Sequence, residues 1–547
     1  MIFSPRNTRP VIGSMTLAII TSLYIAGMFN QTFWQRVVSY FNSAPAPIMA
    51  VWFIVAGLLI SLTTTFSIKY LIKPVLILLI VSGSAASWFT DQFGTIIDSD
   101  MIANAVQTTG AEAGNLLSRG FILHLLLTGL LPSLIICWVK VSHRPFLKKA
   151  LYNLALIIPC LAIAIVAFWG TSRTLISTVR EHHDLLRVIN PVVPIGSAVK
   201  YALKETLARP LQFHAAGLDA RIVSVEVTDR PRITIVVAGE TARADNFSLQ
   251  GYDRITNPEL QKRDIIYFKN TTSCGTATAQ SLPCMFSPLR RKDFSVEKAA
   301  ATSSLPDILA TAGVRTEWWD NNTGSKGVAD RIKTQSFYEG NDPRFCIDGE
   351  CQDDIMLEKL DDWLDRTKRD SVLFIHQLGS HGPAYFKRYP EAFRRFKPDC
   401  RGLDYSKCSA DEVQNAYDNT ILYTDHFLSA IIDKLQARSS KMDVALLYMS
   451  DHGESLGENG IYLHGLPYSL APSQQVHIPF VLWFSPQFAN SMHVDVSCIR
   501  QGASFQVYSH DNLFPSLLSM MNIDTSVKDE SLDMFRGCRR EHVAHGD

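Results

Sequence analysis

Charge is what the first third of this chain has least of. Residues 1–170 carry ten basic and four acidic side chains, about 8% of positions, against about 24% over residues 171–547, where ordinary soluble composition is ~25%. That deficit excludes a purely soluble cytosolic protein, and the lack of low-complexity sequence excludes a disordered one. Net charge is missing too. The 52 Lys+Arg balance 52 Asp+Glu, so no overall field argues for a nucleic-acid partner. No internal repeat stands out, and no two cysteines have the C-x₂-C spacing of a zinc finger. What is present is 547 residues, too long for one core and enough for roughly three or four units of ~150 residues.

The uncharged stretches are long and apolar: Val11–Met28, Ile48–Phe66, Pro74–Thr90, Gly120–Val139 and Ala150–Gly170. Each approaches the ~17–25 residues that cross a bilayer as a helix with its backbone bonded internally. Pro74–Thr90 is the shortest and borrows Tyr70–Ile72 across Lys73, whose ammonium can snorkel. The first run lacks a small-residue cleavage site and precedes four more, so it reads as a retained span. Five spans are therefore expected within residues 1–170. Arg6, Arg9, Lys69, Lys73, Lys140, Arg144, Lys148 and Lys149 fall on one side of them, and Arg36 and Arg119 on the other. This asymmetry puts the N-terminus in the cytoplasm and everything after about residue 171 outside. The expected location is a bacterial inner membrane with a large periplasmic domain. His124, inside the fourth run, reads as a satisfied polar residue near its outer end, although ionisable groups in a membrane default to functional suspicion.

Cysteine usage agrees. Cys137 and Cys160 lie within apolar runs as small hydrophobes. The other eight (Cys274, Cys284, Cys346, Cys351, Cys400, Cys408, Cys498 and Cys538) come after the last span, and an even set in an exported domain reads as disulfides.

Residues 171–217 form a connector. Leu175–Ile189 and Ala198–Ala208 have helix-like apolar spacing, suiting either amphipathic helices on the membrane surface or bridging helices packed on the domain. His182 and His183 fit a solvated helix face. From residue 218 to 547, strand and helix alternate. Near-continuous apolar runs at Ile233–Ala238, Val372–Ile375, Val444–Met449 and Ile478–Phe484 suggest strands covered on both faces. Helical stretches such as Cys351–Lys368 and Asp411–Gln436 lie between them. The expected fold is α/β with a mainly parallel sheet.

The chemistry lies just past the strand ends. Ligands bind beyond the carboxyl ends of strands in open α/β sheets. Three such ends bring Glu240, Asp451, His452 and also His381 toward one crevice, an oxygen and nitrogen set suited to zinc with room for another ligand. The bland alternative is turn residues closing three unrelated strands. A small-residue loop between Cys274 and Cys284 is expected to open a helix around Thr276–Ser281, whose free N–H groups suit a phosphate. An activated hydroxyl there would be a nucleophile. Thr271, Thr272, Ser273, Thr276, Thr278 and Ser281 all qualify chemically.

Taken together, the five apolar runs and the segments V-V-A-G-E-T-A-R, S-C-G-T-A-T-A-Q-S-L-P-C-M-F-S, N-N-T-G-S-K-G-V, S-H-G-P and S-D-H-G-E-S-L-G-E-N-G-I-Y-L-H-G resemble the phosphoethanolamine–lipid A transferases, which include the transferable colistin-resistance enzymes. The resemblance implies a periplasmic domain of alkaline phosphatase and sulfatase type. It implies Thr278 as nucleophile, and Glu240, Thr278, Asp451 and His452 as ligands of one tightly bound Zn²⁺, with a second allowed. By the same likeness, His381 and His464 match catalytic histidines, and Thr323 and Lys326 match substrate-phosphate contacts. Asn104, Thr108 and Glu112 match a loop that meets the lipid headgroup. The family's disulfides imply Cys274–Cys284, Cys346–Cys351 and Cys400–Cys408, leaving Cys498 with Cys538.

The implied activity moves phosphoethanolamine from phosphatidylethanolamine to lipid A through a threonine adduct, in a membrane-embedded monomer without nucleic acid. A phosphoethanolamine or phosphoglycerol transferase acting on another envelope glycan (core sugar or glucan), a sulfatase or phosphomonoesterase, and a membrane sensor with a dead enzyme domain are the rival readings.

Overall fold

The computed structural model describes residues 9–540 apart from 109, 208–210, 224–229, 339, 341 and 348. Contacts divide the chain into two compact units, residues 1–103 with 117–208 and residues 104–116 with 209–547.

The first unit is helical. Its principal elements are α1 (Ser14–Met28), α2 (Pro45–Thr65), α3 (Ile72–Phe93), α4 (Arg119–Trp138) and α5 (Phe146–Glu181). By length and composition, α2 to α5 are the four described helices able to cross a membrane; α1 is apolar but has 15 residues, ~22 Å, because the chain enters it as an extended Val11–Gly13 paired with Lys140–Ser142. Four of the five expected spans are therefore matched by helices of full length, and the first by this shorter apolar one. A second difference is that α5 runs unbroken for 36 residues through Gly170. The fifth apolar run and the start of the connector are thus one helix. The connector continues as a short 3₁₀ turn at Leu185–Val188 and a helix at Val192–Leu207.

Burying apolar surface gives no net gain between helices in lipid, so close approach and polar bonds hold such a bundle. A Cβ on Gly57 of α2 would lie 2.9 Å from the Cys160 carbonyl of α5. Ser22 and Thr63 share a 2.8 Å hydroxyl bond between α1 and α2. Pro132 has no N–H for the Thr128 carbonyl one turn earlier, and Tyr24 donates its hydroxyl there at 2.8 Å instead. The same stretch of α4, Leu125–Leu130, is π-helical.

The second unit is built on a seven-stranded sheet. Its strands are β1 (Arg232–Gly239), β2 (Ile266–Tyr267), β3 (Arg315–Asp320), β4 (Lys333–Ser336), β5 (Ser371–His376), β6 (Asp443–Ser450) and β7 (Phe480–Phe484), in the order β2-β7-β6-β1-β5-β3-β4. The pairings from β6 to β4 are parallel, whereas β7 pairs antiparallel with both β6 and β2. The sheet is therefore mixed, not uniformly parallel. A parallel return needs a crossover, usually a helix, and the return from Ser450 to Phe480 contains only the four-residue helix Ser473–Val476. One face packs Phe286, Trp318, Phe374 and Leu447 into the main core. The helices α6 (Thr278–Met285), α7 (Asp354–Arg366) and α8 (Ala410–Gln436) complete the frame, α8 opening with a Ser409–Glu412 capping box.

Register decides where the chemistry falls. Ala238 lies opposite His376, His376 opposite Asp320, and Gly239 opposite Ser450. Four parallel strands thus end level with one another, and the residues at and just beyond their ends share one edge.

Candidate active site and metal centre

Glu240 comes directly after β1, and Asp451 and His452 directly after β6. Their ligand atoms all lie within 4.8 Å of one another, and each residue is buried. His452 Nε2 is 3.5 Å from Glu240 Oε1 and 3.4 Å from Asp451 Oδ2. The other ring nitrogen, Nδ1, lies 2.9 Å from the Gly453 carbonyl, which fixes it as the N–H and leaves the Nε2 lone pair facing the carboxylates. Thr241 and His452 donate backbone N–H groups to Asp451 Oδ1, while Oδ2 hydrogen-bonds nothing among the described residues.

The third side of the site is the first residue of α6. Thr278 Oγ1 lies 3.1 and 3.2 Å from the two Glu240 oxygens and 3.4 Å from His452 Nε2. The other candidate hydroxyls are turned to structural work. Thr276 donates to the Leu466 carbonyl at 2.6 Å, Ser273 donates to the Gly275 carbonyl, and Ser281 accepts from the Gly275 N–H. Thr271 and Thr272 meet the Phe268 and Tyr508 carbonyls. The Cys274–Cys284 disulfide closes this loop, and Cys346–Cys351, Cys400–Cys408 and Cys498–Cys538 are also bonded.

Electrostatics arise from this crowding. Burial opposes ionisation of Glu240, but the charged His376 imidazole beside it holds its carboxyl well below the ordinary range. Burial and the charge of Glu240 push Asp451 far upward. Burial and the neighbouring His464 bring His452 down to about 3, so the ring is neutral at ordinary pH. Two buried carboxylates, a neutral imidazole, a hydroxyl and one orphaned carboxylate oxygen make a donor set short of one cation. That set fits zinc.

Two family models match in tandem: one described as phosphoethanolamine transferase EptA/EptB over residues 55–206, and one described as sulfatase over residues 232–523. A Salmonella typhimurium protein named phosphoethanolamine transferase EptA is 39% identical, covering 97% of this chain and 98% of its own. The Escherichia coli phosphatidylethanolamine transferase Mcr-1 is 37% identical, covering 96% and 98%. The chain belongs to the phosphoethanolamine transferases. The solved lipooligosaccharide phosphoethanolamine transferase A of Neisseria meningitidis superposes with a TM-score of 0.93 at 34% identity, covering 97% of this chain and all of that one.

As a transferase site, the pocket gathers more residues than the family motifs named. The His464 ring is tilted by 43° to that of His452, with centroids 4.5 Å apart, and the His381 ring lies 5.6 Å from that of His464. Burial disfavours a charged His464, yet the Glu454 carboxylate 2.8 Å from its Nδ1 raises it to about 9. Tyr385 donates to the other Glu454 oxygen at 2.5 Å. Thr323 and Lys326 occupy the loop after β3, Lys326 Nζ reaching the Thr323 carbonyl at 3.0 Å. In the same loop Asn322 donates to Glu240 Oε2 at 2.8 Å. His376, at the end of β5, stands between Asp320 at 3.0 Å and Glu240 at 3.8 Å. Sequence reading missed the roles of Asn322, Asp320, His376 and Glu454. His376 carried a usable signal, since it directly ends a buried strand.

Asn104 and Thr108 lie at the end of the helix Ser99–Gln107, where Thr108 Oγ1 donates to the Asn104 carbonyl at 2.9 Å. Residues 104–116 group by contact with 209–547. The Glu112 side chain lies outside the described residues.

Proposed function

We propose that this chain transfers phosphoethanolamine from phosphatidylethanolamine to a phosphate of lipid A at the outer face of a bacterial inner membrane. One observation carries the reading: Thr278 presents its hydroxyl to a buried Glu240–Asp451–His452 group at the start of a helix. Glu240, Thr278, Asp451 and His452 would hold one zinc ion. Zinc bound there would lower the hydroxyl pKa and offset charge on the transferring phosphoryl oxygens.

The chain's own residues account for the remaining work. In the first step Thr278 Oγ1 forms a bond to phosphorus, the phosphorus–glycerol oxygen bond breaks, and diacylglycerol leaves. The Thr278 proton is released to solvent as the bond to phosphorus forms and is regained by Thr278 Oγ1 when that oxygen leaves in the second step, while the proton of the attacking lipid A phosphate restores His464. Protonated His464, supported by Glu454, supplies the proton to the departing oxygen, with His381 beside it. In the second step a lipid A phosphate oxygen attacks the same phosphorus and Thr278 Oγ1 leaves. Free N–H groups at the start of α6, Lys326 and Thr323 stabilise the phosphoryl oxygens. Asn104, Thr108 and Glu112 contribute headgroup contacts. The product masks an anionic phosphate with an ammonium, weakening attraction for cationic polymyxins such as colistin.

The protein works as a monomer with the N-terminus in the cytoplasm. Here α1 is the remaining span, its ~22 Å of helix somewhat shorter than the ~30 Å hydrocarbon core, with the strand Val11–Gly13 paired to Lys140–Ser142 at the cytoplasmic end. Mass spectrometry of lipid A from cells with and without the protein tests the activity. One added phosphoethanolamine mass on lipid A is expected. The same mass on a core sugar or glucan, with lipid A unchanged, would move the acceptor elsewhere.

A further inference from the structure

Two anchors outside the loop hold the residues that lead to Thr278. Thr276 is one: its carbonyl accepts the Gly465 N–H at 2.8 Å and its hydroxyl donates to the Leu466 carbonyl at 2.6 Å. The other is Cys274, four residues before Thr278. Its N–H donates to His510 Nδ1 at 3.0 Å, and its carbonyl accepts Arg291 Nε at 2.9 Å. Ala277, the residue before α6, offers no side-chain bond to the first turn, so the placement of the loop rests on these outer contacts.

His510 is buried, and both of its ring nitrogens are used. Nε2 lies 2.9 Å from the carbonyl of Ser450, the last residue of β6 and the one before Asp451. A peptide N–H facing Nδ1 and a carbonyl facing Nε2 allow one arrangement, a neutral ring with its proton on Nε2. Burial agrees, bringing the imidazole down to about 4. Ser450 is itself a junction. Its hydroxyl accepts the Ala242 N–H and donates to the His452 carbonyl, each at 2.9 Å. A chain of hydrogen bonds thus runs from the loops of Glu240 and His452, through Ser450 and His510, to Cys274.

The turn that carries His510 is pinned independently of its ring. Val507–Ser509 pairs in parallel with Asn270–Thr272, Ser509 opposite Thr272, so His510 and the nucleophile loop leave adjacent strands together. Ser509 Oγ accepts from the Asp511 N–H, and Asp511 Oδ1 accepts the Arg291 N–H at 2.8 Å. The Arg291 guanidinium lies 3.4 Å over the Tyr468 ring, whose hydroxyl donates to the Ser273 carbonyl at 3.1 Å. An apolar residue at position 510 would fill the same space but leave a buried N–H and a buried carbonyl unbonded.

We infer that His510 is a positioning residue that sets the nucleophile loop against the end of β6, with Arg291 holding Cys274 from the other side. This rests on Thr278 being the nucleophile. Thr278 belongs to α6, whereas Asp451 and His452 follow β6, so the mutual placement of the two elements enters the rate directly. A misplacement of ~1 Å can cost ~100-fold.

The test uses the full-length protein with phosphatidylethanolamine and lipid A, and measures kcat, KM and melting for three variants. In His510→Asn the amide oxygen falls near Nδ1 and accepts the Cys274 N–H. In His510→Gln the amide nitrogen falls near Nε2 and serves the Ser450 carbonyl. Each keeps one of the two bonds, so melting should fall by similar amounts in both and further in His510→Ala. The rate should not follow melting. His510→Gln and His510→Ala should lose about thirtyfold or more in kcat and His510→Asn about fivefold or less, with KM for phosphatidylethanolamine within about twofold throughout. Equal kcat in the Asn and Gln variants, tracking melting, is the mark of a purely structural role and would overturn the inference, as would a raised KM with kcat unchanged. Should all three fail to fold, Arg291→Ala, at an exposed position, decides: kcat should fall about threefold or more, and an unaltered kcat overturns the inference. A wild-type adduct on a residue other than Thr278 would overturn the nucleophile assignment and the positioning role with it. An adduct on Thr278 with kcat tracking melting would overturn the positioning role alone.

Discussion

The membrane unit and the catalytic unit are held together by opposite means. In the first, small residues and hydroxyls do the joining: Gly57 against Cys160, Ser22 with Thr63, and Ser84 with Thr128. In the second, fully buried central strands (β1, β5 and β6), four disulfides and many ion pairs hold the structure, and Asp353 alone accepts from Asn321, Leu378 and Gly379 beneath the site. The difference reflects the solvent. Lipid gives helices no reward for burying apolar surface against each other, whereas water does. The side chains of the second unit are accordingly held by more bonds each than those of the first.

The largest expected effect tests whether the reactive oxygen belongs to the rigid unit. Thr278→Ala should reduce transfer by about a thousandfold or more, because no other described residue places a hydroxyl against Glu240 and His452. Thr276→Ala should cost about tenfold or less, since that hydroxyl caps the Leu466 carbonyl. Incubation with phosphatidylethanolamine alone should load phosphoethanolamine onto the peptide containing Thr278. A stable adduct on Thr276, or full activity in Thr278→Ala, would remove the distinction drawn between the two hydroxyls.

The intermediate effect tests the looser unit. Gly57→Leu forces a side chain toward the Cys160 carbonyl, where even a Cβ lies 2.9 Å away. Overpacking of this kind costs about 1–3 kcal/mol. Thermal melting in detergent should fall accordingly while bound metal per chain stays constant. Simultaneous loss of metal would mean that the two units do not answer separately.

Some of this was legible in the sequence and some was not, for physical reasons. Apolar runs mark membrane helices because composition alone decides them, so α2 to α5 stood out. The continuation of α5 past Gly170 did not, because a helix in water needs no apolar run and tolerates Arg173, Arg180 and Glu181. Strands β1, β5 and β6 showed as uninterrupted hydrophobicity. Strand β3 did not, since Arg315, Glu317 and Asp320 alternate with its threonine and tryptophans, and the strand is stabilised by contacts such as Trp319 donating to Glu317. The carboxyl-edge cluster was readable because Glu240, Asp451 and His452 follow directly on strands. Choosing Thr278 from six hydroxyls needed either a family motif or the fold. Asn322 sits in a polar loop whose spacing says nothing of Glu240.

The smallest effect concerns pH and a buried carboxyl remote from the metal group. Asp425, on α8, is fully buried and accepts the N–H groups of Glu259 and Leu260 at 2.8 and 3.0 Å. Burial, reinforced by the Glu259 carboxylate, pushes it up to about 7, although the two N–H groups and Arg263 pull the other way. An unfolded aspartate titrates near ~3.9. Between about pH 4 and 7 the folded protein therefore keeps a proton that the unfolded chain has released. By linkage, this carboxyl's contribution is most favourable at the acid end and is lost as pH rises toward 7, by at most ~1.4 kcal/mol per pH unit. The opposite slope belongs to paired carboxylates such as Asp399, which Arg394 and Tyr389 hold low against burial. Asp425→Asn keeps one oxygen acceptor and cannot ionise. Melting of wild type and Asp425→Asn from pH 5 to 8 should show the variant gaining relative stability as pH rises, with the gain levelling off above about pH 7. A constant difference across that range would show that Asp425 is ionised in both states, its two N–H donors and Arg263 then sufficing to hold the charge.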